Sequence, residues 1–173
     1  MQRLYFIRHG LSTANKQGIW SGRTDHPLAK EGQEQALLAG QKAKNLNIDL
    51  VVSSTQRRAY DTAKIMAKQI DYPIKKIMVN SLLVERDFGE LETKKAYLTT
   101  VEMHKANILG FETDDMLIKR AEEAFEWLES LGGKNILVVS HGSFGRALRK
   151  VAVAEHDFLE SIPNAEIVCW VEG

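Results

Sequence analysis

The feature that most narrows the folds open to this chain is a pair of apolar runs that each stop at a histidine and a glycine. Leu4-Tyr5-Phe6-Ile7 leads straight into Arg8-His9-Gly10, and the run Asn135 to Ser140 leads into His141-Gly142. Four consecutive apolar residues rich in β-formers are too few for a buried helix, so the first run reads as a buried strand that ends in chemistry. Ligands of open α/β sheets sit just beyond the carboxyl ends of the strands. A cation, an imidazole and a glycine placed there face such a crevice, and an anionic ligand is expected.

Between these runs the pattern alternates. Leu11 to Leu28 is polar, contains Gly18, Gly22 and Pro27, and lacks either period, so a long functional loop over the first strand's end is expected. Ala36, Ala39, Ala43 and Leu46 give a helix from Lys30 to Asn45. Ile48 to Val52 reads as a second strand, with Ser53-Ser54-Thr55 expected to cap the next helix, Arg57 to Ile70. Arg57 and Arg58 fall in that helix's first turn, where the macrodipole disfavours cations, so they require a partner anion or a solvated face. Ile77 to Val79 is a third strand, Leu82 to Glu92 a loop, and Thr93 to Gly110 a weakly helical stretch and candidate lid. Leu117, Ala121, Ala124, Leu128 and Leu131 mark a helix that stops at Gly132-Gly133. Phe144, Ala147, Leu148 and Val151 mark another, and Ile167 to Val171 a last strand. The order predicts an α/β fold, a three-layer α/β/α sandwich with a mostly parallel central sheet, in one domain spanning residues 1–173.

At 173 residues and 44% hydrophobic, the chain can bury a core without disulfides or metals. Its 23 Lys and Arg balance its 23 Asp and Glu, so no overall basic field would recruit nucleic acid or an anionic membrane, and any anion site must be local. The single cysteine, Cys169, sits in an apolar strand pattern, cannot form an internal disulfide, and fits a reducing compartment. Neither a signal peptide nor a membrane span is legible, so a cytoplasmic protein is expected. No clustered carboxylates or cysteines join the histidines with metal-site spacing, so neither metal nor cofactor is expected. A homo-oligomer stays open.

Set in order, these residues resemble the histidine phosphatase superfamily, which includes cofactor-dependent phosphoglycerate mutases and small monoester phosphatases. Arg8-His9-Gly10 with Asn15 matches its first motif, and Ser53-Ser54 with Arg58-Ala59 and Thr62-Ala63 its second. Glu85 with Phe88-Gly89 matches its third, and Ser140-His141-Gly142 its last. The resemblance implies a phosphoglycerate mutase-like fold and a phosphatase acting on a small phosphorylated substrate through a phosphohistidine on His9. The chemistry agrees, because phosphoryl transfer needs an in-line nucleophile and fixed positive groups around the equatorial oxygens. Arg8, Arg58 and His141, with Asn15 as a neutral donor, would hold the phosphate, and His9 should donate its other nitrogen's proton to a backbone carbonyl. Glu85 would be the proton donor, kept protonated by acidic or apolar surroundings, although by composition Asp87, Glu90 or Glu92 could serve.

Ser21, Gly22 and Arg86 match substrate-side positions of the mutases, and Gly142 lets a ligand approach the backbone, as does Gly10. The pattern departs at Leu11, where Glu or Gln is usual, at Thr93, where glycine is usual, and at Phe88, where the mutases carry tyrosine. The chain is also shorter than the mutases in the region 93–110. A phosphoglycerate mutase, a protein phosphohistidine phosphatase and a non-catalytic phospho-ligand binding module stand as alternatives. Arg23, Lys94 and Lys95 could add an anion contact or be solvated charges. His26, His104 and His156 carry no supporting pattern.

Overall fold

The computed structural model describes residues 1–96, 98, 102, 107–153 and 160–172. Strands β1 (Arg3–Arg8), β2 (Leu50–Ser54), β3 (Met78–Asn80), β4 (Asn135–Ser140) and β5 (Ile167–Glu172) form one sheet in the order β3-β2-β4-β1-β5. Only β5 runs antiparallel, so the expected mostly parallel α/β sandwich is the architecture found. Helix α1 (Thr13–Gln17) follows β1, and α2 (Lys30–Ala43), α3 (Arg57–Gln69), α4 (Asp114–Ser130) and α5 (Gly142–Ala152) form the outer layers.

The layers follow from the two-residue period of a strand. Leu4, Phe6, Val52, Ile136 and Val138 point to one face and pack under apolar residues of α4 and α5. Tyr5, Ile7, Val51, Leu137 and Val139 point to the other and pack under α2 and α3. Burial on both faces explains why β1 and β4 read as continuous apolar runs rather than alternating ones. Phe6 is fully buried and stacks on Trp170 of β5 with ring centroids 4.3 Å apart. Phe6→Ala would cost ~3–5 kcal/mol, a large part of an ordinary domain's stability.

Two local expectations are corrected and a third is met. The polar stretch after Gly10 is not all loop, because Ser12 caps the short α1 through a reciprocal bond pair with Asn15. The second strand lies two residues later than its apolar run, and Ser53 and Ser54 extend it instead of capping α3, since they pair with β3 and β4. The anions that answer the arginines of α3 are Asp61, 3.3 Å from the Arg57 guanidinium, and Asp25, which pairs with Arg58 at 3.4 Å and accepts from the Arg57 backbone N–H at 2.6 Å. Of the candidate lid at 93–110, residues 97, 99–101 and 103–106 lie outside the described residues. Its beginning is pinned, with Thr93 N and Ala96 N donating to Trp20 O and Gly18 O at 2.9 and 2.8 Å.

Candidate active site

The parallel register sets the site. Arg8 of β1 lies opposite Ser140 of β4, so the residues that follow, His9 and His141, leave the sheet side by side. Their rings stand 5.2 Å apart, centroid to centroid, at 63°. A cavity of about 440 Å³ opens at this edge, and Arg8, His9, Asn15, Glu85, Gly142 and Arg146 line its polar part. Leu11, Ile19, Trp20, Phe88, Ala96 and Ile162 supply apolar wall.

His9 is held from every side. Its backbone N–H donates to Ser140 O at 2.9 Å, and Asn164 Nδ2 donates to its carbonyl at 2.7 Å. Its Nδ1 lies 2.7 Å from Gly10 O. A carbonyl only accepts, so Nδ1 carries the proton and Nε2 keeps the lone pair, as the sequence led one to expect. Burial, then the Arg58 and Arg8 charges, hold the imidazole well below its ordinary pKa, against the opposing Gly10 hydrogen bond. The ring is neutral at physiological pH.

Arg8 donates from Nη1 to Ile162 O at 3.0 Å, while its buried Nε has no partner. His141 is fully buried, meets Ser54 Oγ at 2.8 Å through Nε2, and leaves Nδ1 buried without a partner. Burial, then Arg58, His9 and Arg8, hold its pKa well down. Arg8 lines the cavity and His141 does not, and the unanswered Arg8 Nε at that edge suits an anion with several acceptor oxygens.

Glu85 also lines the cavity, but its surroundings are neither acidic nor apolar. Its Oε1 accepts from Arg86 N and Phe144 N, both at 2.9 Å, and its Oε2 from Ser143 N at 3.1 Å. It thus caps α5, whose N-cap residue His141 makes no side-chain cap bond. Among the four candidate acids Glu85 alone lines the cavity. Asp87 accepts from Gly89 N, Glu90 is exposed, and Glu92 is bonded into the loop at 22–24.

The other expected site residues divide. Asn15 lines the cavity, its Oδ1 being used by Ser12 N and Oγ. Ser21 lines it too, although its hydroxyl donates to Thr24 O at 2.7 Å. Arg58, 1% exposed, spends its Nη atoms on the carbonyls of Ser21, Gly22 and Thr24 and does not line the cavity. Gly22 and Arg86 do not line it either. Gly22 N donates to Glu92, and Arg86, fully buried, pairs with Asp114 and lies over the Phe111 ring. Arg23 pairs with Asp87 and Glu112, and Lys95 donates to Gln17 O. His26 does not line the cavity, and His104 and His156 lie outside the described residues.

Gly10 has a different reason from ligand access. A Cβ there would sit 2.2 Å from Gly32 O, so the glycine seats the start of α2 against the reactive loop. At Gly142 a Cβ would stand 3.3 Å from Arg8 Cζ, which keeps room for the guanidinium. Sequence reasoning missed Arg146 and Asn164. Arg146 lies four residues after Gly142 on α5, one helical turn on, and that spacing could have found it. Asn164 follows a connection with no period and left no signal. Among the described residues no three His, Cys, Asp or Glu side chains gather as a metal-holding group, and no helix is long and apolar enough to cross a membrane.

The profile of the histidine phosphatase superfamily, branch 1, matches residues 4–169. An acid phosphatase of Mycobacterium tuberculosis is 32% identical over 158 residues, covering 84% of this chain and 73% of that one. A 2,3-bisphosphoglycerate-dependent phosphoglycerate mutase of Parvibaculum lavamentivorans is 38% identical over 90 residues, 51% of this chain and 43% of that one. The crystal structure of the α-ribazole phosphatase from Shigella flexneri superposes with a TM-score of 0.83 at 24% identity, covering 97% and 89% of the two chains, and shows the shared fold.

Proposed function

We propose that this chain, which belongs to the histidine phosphatase superfamily and is a phosphoric monoester hydrolase, hydrolyses a small monoester through a phosphohistidine on His9 and without a metal ion. The observation that carries this is the state of His9: neutral, with Nδ1–H fixed on Gly10 O and Nε2 left to attack. Such a nitrogen attacks phosphorus while the P–O bond to the leaving oxygen breaks, and Glu85 gives that oxygen its proton. Water then attacks the phosphohistidine, Glu85 takes the proton back from it, and inorganic phosphate leaves. Arg8, Arg58 and His141, with Asn15, stabilise the charge on the phosphoryl oxygens.

A monoesterase suits this chain better than a mutase. Two of the positions that resemble mutase substrate contacts, Gly22 and Arg86, are occupied within the protein by Glu92 and Asp114. The cationic set around His9 supports metal independence, since it supplies the charge a divalent ion would. The single cysteine supports a reducing, cytoplasmic setting. The test is to trap the phosphoenzyme from a panel of monoesters in denaturant. A base-stable, acid-labile label that disappears in His9→Ala is expected, and phosphate release undiminished by that change would refute the mechanism. Conversion of 3-phosphoglycerate to 2-phosphoglycerate with 2,3-bisphosphoglycerate, without free phosphate, would replace it by the mutase reading.

A further inference from the structure

One carboxylate outside the cavity is committed more heavily than its position requires. Glu92 accepts from five donors: Gly22 N at 3.0 Å, Arg23 N at 2.9 Å, Thr24 N at 3.1 Å, Thr24 Oγ1 at 2.6 Å and Phe88 N at 3.2 Å. Burial alone would push its pKa up, but the bonds from Thr24, Arg23 and Phe88 outweigh it and hold the carboxyl below its ordinary value. The loop it grips has a second owner. The carbonyls of Ser21, Gly22 and Thr24 accept from Arg58 at 3.0, 2.9 and 3.0 Å. One short stretch of backbone therefore shows its N–H groups to an anion and its C=O groups to a cation.

We propose that Glu92 is a positioning residue for Arg58, fixing residues 22–24, whose carbonyls together with that of Ser21 hold the guanidinium and so limit its reach toward the phosphoryl group. Gly22 belongs to this device, because a Cβ there would lie 2.4 Å from Glu92 Oε1 and 2.0 Å from Arg86 O. Gln56 extends it, since its Nε2 donates to Gly22 O at 2.6 Å while its Oε1 accepts from Glu85 N at 2.9 Å. Loosening the loop would then be felt at the arginine first. Arg58 can turn its donors toward an anion only as far as the three carbonyls allow.

The inference rests on the phosphatase reading and on Arg58 serving the phosphoryl group. It is tested by a double-mutant cycle on kcat/KM for a monoester, with vanadate inhibition measured on the same proteins. Glu92→Gln keeps the size and turns an NH2 toward backbone donors. In the wild-type background it should cost on the order of tenfold or more and weaken vanadate to a similar degree; in Arg58→Lys, where the forked contact is already gone, the same change should cost less than about threefold. Equal fractional losses in both backgrounds would overturn the proposal, because a merely structural role is additive. Should Glu92→Gln fail to fold, Thr24→Val removes the 2.6 Å bond alone and runs through the same cycle. No loss from either variant overturns it as well. A wild-type protein without His9-dependent turnover would instead sink the phosphatase reading, and the cycle would then be read from the rise in Tm that vanadate produces.

Discussion

Glu85→Gln separates a proton donor from a structural carboxylate. Glutamine has one carbonyl oxygen, and placed where Oε1 lies it keeps the bonds from Arg86 N and Phe144 N. Its NH2 then faces Ser143 N, which donated to Oε2 at 3.1 Å. One buried N–H left opposite another donor costs ~1–3 kcal/mol. In a chain of this length Tm falls by about 2–4 °C per kcal/mol, so the variant should melt several degrees early and remain folded at assay temperature. The chemical loss is larger. An alkoxide cannot leave unaided, so phosphoenzyme formation from an alkyl monoester should slow by ~10²-fold or more. p-Nitrophenolate departs without a proton, and with p-nitrophenyl phosphate the same step should be largely spared. The assay is single-turnover formation of the phosphoenzyme, since steady-state rates mix formation with hydrolysis. Equal losses with the two esters would refute the role of Glu85 as the proton donor.

Stability should depend on the two site histidines. Burial and the neighbouring arginines hold both rings well below the value near 6.5 of an unfolded histidine, so the unfolded chain takes up protons below about pH 6.5 that the folded one refuses. Tm should therefore fall as pH drops from 7 to 5, less steeply in His141→Gln, and a flat profile would show that the rings titrate alike in both states. Gly32→Ala should destabilise, although alanine is the better helix former by ~1 kcal/mol, because the added Cβ would meet Leu11 O at 2.1 Å; a raised Tm in thermal melts would contradict the contact. Excess EDTA should leave phosphate release unchanged and vanadate should abolish it, whereas activity lost to the chelator and restored by magnesium or zinc would contradict the metal-free mechanism.

The parts of this site legible in the sequence are those that hang on regular structure. β1 and β4 announce themselves because both of their faces are buried, and a strand's last residues fix where the next two must lie, which is how His9 and His141 could be placed together. The tautomer of His9 was also legible, since the loop right after a strand end offers its own carbonyl. What escaped depends on partners far away in the chain. Nothing local in Arg58 says that its Nη atoms close on residues 21–24, or in Gly10 that its missing Cβ makes room for Gly32. Arg86 matched a motif, yet Asp114, on a helix that begins after residues 97–106, decides where its charge goes. The arginines of α3 called for a partner anion or a solvated face; Asp61, one turn on, serves Arg57, but only folding shows that Asp25 serves Arg58.

The place of β1 in the sheet has a consequence for how the enzyme comes into being. Its two neighbours are β4 and β5, so Arg3 waits for Asn135 on one side and Glu172 on the other. A ribosome adding ~5–20 residues per second makes the first strand partner of β1 on the order of ten seconds after β1 and His9. Throughout that interval Leu4, Phe6 and Ile7 have no sheet to enter, and pairings this distant in sequence also make for slow refolding. His9 is thus synthesised well before the strands that seat it. Hydrolytic competence should appear only once Asn164 and β5 have been made, and a chain released before then would present an unpaired apolar strand to chaperones rather than a reactive site to phosphate esters.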